Sequence, residues 1–182
     1  MKESRKTQYT RRALADGLIE LMKTKPFDRI TVKELCDYAD VNRTTFYAHY
    51  EDIYALLRSI EVDTLAWMNQ CMEDVSGKEG REAIVRSLER YFEALIENSK
   101  YLQVLMSEQG NLAFQKKIYA STCQIFGVPS PQRFAPPLED NMRFIFVIHG
   151  GIGITQQWLK NGLRETPREL AEMIYDMTRP IW

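Results

Sequence analysis

The chain has 182 residues, a mass of 21.3 kDa, 45% apolar and 27% charged residues, and a formal net charge of −1. These values allow one or two domains with a real core and exclude a uniformly basic nucleic-acid coat, while leaving room for a local basic patch. Three cysteines without a CxxC exclude a disulfide framework and a Cys-rich zinc site. The longest uncharged run, 144–159, is too short to span a bilayer, and no signal peptide is read at the start, so a cytoplasmic protein is expected.

Charge is uneven. Residues 1–50 hold ten Lys/Arg against seven acids, net +3, and the remainder is net −4. Five of those bases, Lys2, Arg5, Lys6, Arg11 and Arg12, fall in the first twelve residues, which fits a solvated tail as well as a phosphate-facing arm. The apolar pairs Ala13/Leu14, Gly17/Leu18 and Leu21/Met22 predict a helix from Thr10 to Lys23, ended by Pro26. Thr31-Val32-Lys33-Glu34 reads as a capping box that opens a two-turn helix, with Val32, Leu35, Cys36 and Ala39 on its inner face. Asp40-Val41-Asn42 breaks that helix, and Asn42 caps a third, Arg43 to Tyr50. Glu51-Asp52 opens a fourth, which runs to about Asp74.

After Ser76-Gly77, helices are predicted over 80–99, 100–108 and 110–126, followed by a proline-rich loop over 128–137. Leu138 to Lys160 is a long helix, apolar nearly all round, and such a helix must be buried all round. Asn161-Gly162 closes it, and Thr166-Pro167 with Glu169 starts a last helix reaching about Thr178. No β-alternation or repeat is present. The expected class is all-α with about nine helices.

Two short helices joined by a tight turn, the second capped by Asn and flanked by bases, suit a helix-turn-helix over 31–50. In that arrangement Lys33 and Arg43 address guanine edges or phosphates, and Thr44 and Ala48 meet a thymine methyl. Thr31, Thr45, Tyr47 and His49 position the DNA backbone, with Asn42 and Tyr50 completing the candidate set. His49 has an equally good reading as packing between helices.

The stretch Ile30 to Cys36, then Ala39 to Tyr50, then Leu56-Leu57 resembles the DNA-binding domain of the TetR family of transcriptional regulators. The likeness covers residues 7–67. Gly150-Gly151-Ile152-Gly153 through Gly162 and Thr166 to Leu170 is similar to the C-terminal region of a TetR subgroup that includes activators of dihydroxyacetone-kinase operons. Two positions depart from the family pattern. Asp40 stands where the turn has Gly, and Ile53 where the fourth helix has a phosphate-touching Lys. The basic arm, Arg5, Lys6, Arg11 and Arg12, can supply the phosphate contact that Ile53 lacks.

The resemblance implies a DNA-binding domain over 1–67 and a helical dimerisation and effector domain over 68–182. It implies a homodimer on a palindromic operator in double-stranded DNA, acting as a repressor released by a small molecule. An activator with a protein coregulator is the alternative. Candidate pocket residues are Trp67, Cys71, Tyr91, Leu95, Met106, Phe114, Tyr119, Phe146 and His149; such residues at helical spacing more often fill a core. Candidate dimer residues are Ile148, Ile152, Thr155, Leu159, Leu170, Met173 and Met177. Gly150, Gly151 and Gly153 suggest a close helix approach or a kink.

No enzyme, cofactor, metal site or membrane contact is expected. His149-Gly150-Gly151 resembles an esterase oxyanion loop, but there is no G-x-S-x-G, and two His without ligand spacing make no metal site. A helical protein-interaction module without DNA binding is the other class. Asp40, Ile53 and the near-neutral charge favour it, and Asn42-Arg43-Thr44-Thr45 speaks against it.

Overall fold

The computed structural model describes residues 4–107, 112–126 and 138–178, with the backbone alone for 138–141. These residues form nine α-helices and no strand: α1 (Arg5–Met22), α2 (Val32–Ala39), α3 (Arg43–His49), α4 (Ile53–Glu73), α5 (Arg81–Glu97), α6 (Ser99–Leu105), α7 (Leu112–Ile125), α8 (Leu138–Lys160) and α9 (Pro167–Thr178). The chain divides into two compact units, Met1–Thr64 and Leu65–Trp182, so the boundary falls within α4. The proline-rich loop read over 128–137 and the start of the helix read from residue 110 lie outside the described residues.

In the first unit, α1 packs on α2 and α2 on α3. Leu14, Leu18, Leu35, Phe46 and Leu56 are fully buried and form its centre. Gly17 lets α1 come close to α2: a Cβ there would meet the Leu35 and Tyr38 side chains at 3.2 Å. Short helices this small need their ends satisfied, and each start has a capping side chain. Thr31 Oγ1 accepts the Glu34 N–H at 3.2 Å, Asn42 Oδ1 the Thr44 N–H at 2.8 Å, and Asp52 Oδ1 the Ala55 N–H at 2.6 Å. Asp40 ends α2 in the left-handed region at φ +51°, so the turn forms without glycine.

Several local expectations are corrected. α1 begins at Arg5 rather than Thr10, because Ser4 Oγ accepts the Thr7 N–H at 3.1 Å and caps it. Arg5, Lys6, Arg11 and Arg12 are therefore helical and not an extended arm. The capping box at Thr31 is half made: Glu34 pairs with the Lys25 ammonium instead of reaching back. α4 starts at Ile53, with Asp52 outside as its cap, and Ile53 is buried. The complete capping box is at α9, where Glu169 Oε2 accepts the Thr166 N–H at 2.9 Å and Thr166 Oγ1 accepts the Glu169 N–H at 3.2 Å.

In the second unit, α5 and α9 pair most extensively, and α6 and α7 each lie against α8. Ile84, Val85, Leu88 and Phe92 of α5 and Leu170, Ala171 and Ile174 of α9 are buried. Arg168 ties the pair at its edge, reaching Glu82 at 3.0 Å, Glu89 at 3.3 Å and Glu172 at 2.8 Å. Trp158 anchors the far end of α8: its ring meets Phe92 edge-on at 5.5 Å, and its Nε1–H donates to the Glu165 carbonyl at 3.0 Å. Burial all round α8 does not hold within one chain. Met142 is 54% and Phe146 72% exposed, while Ile148, Trp158 and Leu159 are buried.

Candidate nucleic-acid interface

The side chains at the start of α2 and on α3 sort by helical position. Phe46 is fully buried, and its ring meets Tyr47 edge-on at 5.3 Å. With that residue pinned inward, Arg43, Thr44, Tyr47 and Ala48 are exposed together across an arc of about 140° at 100° per residue. Thr45 and His49 sit half-buried at the flanks. Thr31, Lys33 and Asn42 are also exposed. The Asn42 carbonyl oxygen is used in capping, which leaves its amide hydrogens free to donate. The N-terminus of α2 adds backbone N–H groups and positive dipole character where Thr31 and Lys33 lie, an arrangement suited to phosphate.

Tyr50 stands apart from this set. It is 8% exposed, and its hydroxyl accepts the Arg11 Nε–H at 3.1 Å. The bond joins the C-cap of α3 to the middle of α1, a link between residues 39 apart in sequence that spacing alone does not reveal. Arg11 is thereby drawn toward a structural role, and Tyr50 holds the orientation of α3. His49 lies near the Tyr50 ring, with centroids 6.3 Å apart.

Within the second unit there is a mostly apolar cavity of about 100 Å³. Tyr91 and Met106 line it. The other proposed pocket residues, Trp67, Cys71, Leu95, Phe114, Tyr119, Phe146 and His149, are not part of its wall. Leu95 and Phe114 are fully buried core. Tyr119 and His149 stack on each other at 4.4 Å between ring centroids. The Tyr119 hydroxyl is buried beside the Cys123 thiol, and burial, reinforced by that thiol, pushes its pKa up to about 12. The wall instead recruits Met68, Met72, Phe144, Thr122 and Thr178, together with Ile148, Ile152 and Thr155, which sequence reasoning placed at a dimer interface. Threonines set among apolar helical neighbours were the available signal for a polar touch in this wall.

Of the remaining residues assigned to a dimer interface, Leu159 and Leu170 are 2% exposed, whereas Met173 and Met177 are 45% and 56% exposed. Met142, Phe146, His149 and Gly153 follow at i, i+4, i+7 and i+11 along α8, all exposed, in one stripe about 16 Å long. A Cβ added at Gly150 or Gly153 would meet nothing within 4 Å, so none of the described residues approaches them closely; Gly151 instead faces the cavity. No helix of the described residues is long and apolar enough to cross a membrane.

Comparisons with known proteins agree with this layout. Residues 14–60 match the family described as bacterial regulatory proteins, tetR family, and residues 83–180 match the transcriptional regulator C-terminal region of TetR type. No match is found among curated proteins. Among solved structures, a TetR transcriptional regulator from Streptococcus agalactiae 2603V is similar at TM-score 0.62 and 21% identity, with 96% of each chain covered. The dihydroxyacetone kinase operon activator DhaS is similar at TM-score 0.54 and 17% identity, with 94% of each chain covered. A TetR transcriptional regulator from Rhodococcus sp. RHA1 gives 0.50 and 17%, with 97% of each covered. These identities establish a shared fold, and the family matches at both ends of the chain establish membership. The chain belongs to the TetR family of transcriptional regulators, a family of non-enzymatic DNA-binding proteins.

Proposed function

We propose that this regulator binds a palindromic operator as a homodimer, with α3 of each subunit in a major groove. The observation that carries the reading is α3: a short helix capped by Asn42 and pinned by Phe46, with Arg43, Thr44, Tyr47 and Ala48 exposed on one face. A major groove about 12 Å wide admits such a helix. Arg43 supplies a bidentate donor for guanine or phosphate, Thr44 and Ala48 fit a thymine methyl, and Thr31, Lys33 and Tyr47 fit the phosphate backbone. Tyr50 supports the geometry from behind.

Two half-sites about 34 Å apart require a two-fold dimer. The exposed stripe on α8 and the exposed Met173 and Met177 of α9 support that association, because large apolar side chains in water favour burial against a partner. Gly150 and Gly153 of α8 leave room for a close approach by a partner. A small molecule in the cavity of the second unit would release the DNA, giving a repressor. The likeness to the dihydroxyacetone kinase operon activator DhaS favours the opposite sign of regulation as a second reading. The proposed work on DNA supports a cytoplasmic location.

A gel-shift assay at low salt, using the full chain and the DNA upstream of its own gene, tests the reading. One dimer-sized complex that Arg43→Ala abolishes is the expected result. Failure to shift any of several candidate promoters overturns it in favour of a protein-interaction role. A reporter placed behind the bound promoter then separates repression from activation.

A further inference from the structure

We propose that the cavity of the C-terminal unit takes a compact, uncharged, largely apolar molecule bearing one hydrogen-bond acceptor, which Tyr91 recognises. The proposal rests on the effector-controlled reading above and adds the chemistry of the effector. Size sets the first limit. A dry apolar cavity of about 150 Å³ holds benzene, whereas drug-sized ligands occupy roughly 300–1,000 Å³. At about 100 Å³, this cavity suits a single ring or a short branched chain. Met68, Met72 and Met106 in the wall are unbranched and flexible, so they can yield to a slightly larger guest.

Charge sets the second limit. Among the described residues no Asp, Glu, Lys, Arg or His lines the cavity, so a carboxylate or ammonium would enter without a counter-charge from them. Hydrogen-bond inventory sets the third. The hydroxyls of Thr122, Thr155 and Thr178 donate to the carbonyls of Ile118, Gly151 and Ile174 at 2.9, 2.8 and 2.8 Å. Their hydroxyl hydrogens are thereby committed and are not offered to a guest. Tyr91 is 6% exposed and makes no hydrogen bond among the described residues. Burial, reinforced by the nearby Cys71, holds its phenol well above the ordinary tyrosine pKa, so it stays a neutral donor. A carbonyl, ether or hydroxyl oxygen on the guest would satisfy that donor.

The test uses the purified full chain without DNA and three probes of similar size: acetophenone, ethylbenzene and benzoate, titrated by calorimetry and protein NMR. Acetophenone is expected to bind roughly 3- to 10-fold more tightly than ethylbenzene, the worth of one hydrogen bond. Benzoate is expected to bind at least about 100-fold more weakly, because its charge stays unpaired. Tyr91→Phe should bring acetophenone down to ethylbenzene and leave ethylbenzene unchanged. Gly151→Leu has open space for its side chain and lines the cavity, so it should weaken both neutral probes about 10-fold or more in a folded protein. Benzoate binding that matches acetophenone, no binding of either neutral probe at millimolar concentration, or an acetophenone preference that survives Tyr91→Phe would each overturn the proposal. A chain that binds acetophenone but no DNA refutes the operator reading alone; one that binds DNA but neither neutral probe refutes the cavity assignment alone.

Discussion

α2 and α3 of the N-terminal unit have eight and seven residues, each started by a capping side chain and held by one or two buried residues. α5 and α8 of the C-terminal unit have 17 and 23 residues, and α5 follows Gly80, which offers no side-chain cap. In the first unit, local chemistry says where each helix begins and which face turns outward. In the second, long apolar helices offer several faces that could be buried, and packing chooses among them. Recognition of a fixed DNA shape suits the first kind of element; an adaptable interior and a self-association face suit the second.

The sharpest way to break the comparison is to remove the anchor of α3. Phe46→Ala should destabilise the N-terminal unit by about 3–5 kcal/mol, since a fully buried aromatic ring leaves a cavity, and denaturant unfolding will read the loss. In the other unit, Phe146→Glu should leave the monomer's helicity intact because the side chain is 72% exposed. It should raise the dimer dissociation constant about 30-fold or more in sedimentation measurements if that stripe is the interface core. Unchanged association would remove α8's outer face from the dimer.

At the DNA face, Arg43→Ala should cost about 1–3 kcal/mol of operator affinity per half-site and relax base preference there, whereas Lys33→Ala should flatten the salt dependence by about 0.9 per subunit. Tyr50→Phe removes the hydrogen bond to Arg11 and nothing else, so it should cost about 0.5–1.5 kcal/mol of affinity or stability while the salt slope stays fixed. A slope that falls on Arg11→Gln would show that Arg11 also reaches phosphate.

The smallest effect lies at the α5–α9 edge. Arg168 and Arg86 hold the Glu82 carboxyl down from 4.5 to about 2. A carboxylate lowered in the folded state stabilises it above its unfolded pKa, and that contribution fades as pH falls from about 4.5 through about 2. Glu82 is exposed, with 57% of its side chain accessible, so the change is slight. Thermal melts of Arg168→Met against the parent should differ at neutral pH and converge near pH 2. A constant offset across that range would mean that Arg168 acts through packing.

Helix existence was readable from residue periodicity throughout, and so was the all-α class. The turn was readable at Asp40, because a short polar side chain tolerates φ +51°. Asn42 and Thr166 were readable because capping is an interaction over two or three residues. Ser4 was passed over since a run of bases beside it looks like a tail. Glu34 was misread because its partner, Lys25, lies outside the helix that Glu34 opens. Tyr50 joined the DNA-facing candidates because nothing in its neighbours announces Arg11.

Burial was the hardest property to read. Phe146 and Ile148 are two positions apart on α8, both apolar, yet one is 72% exposed and the other 6%. Hydrophobicity assigns them the same fate; the neighbours that α6 and α7 bring to α8 give them opposite ones. Residue order thus specified the short helices α2 and α3 and their caps, since these depend on contacts within a turn or two. Which residues wall the cavity, which helix face meets solvent and which tyrosine braces α3 were settled by packing between distant segments, where composition carries no directional information.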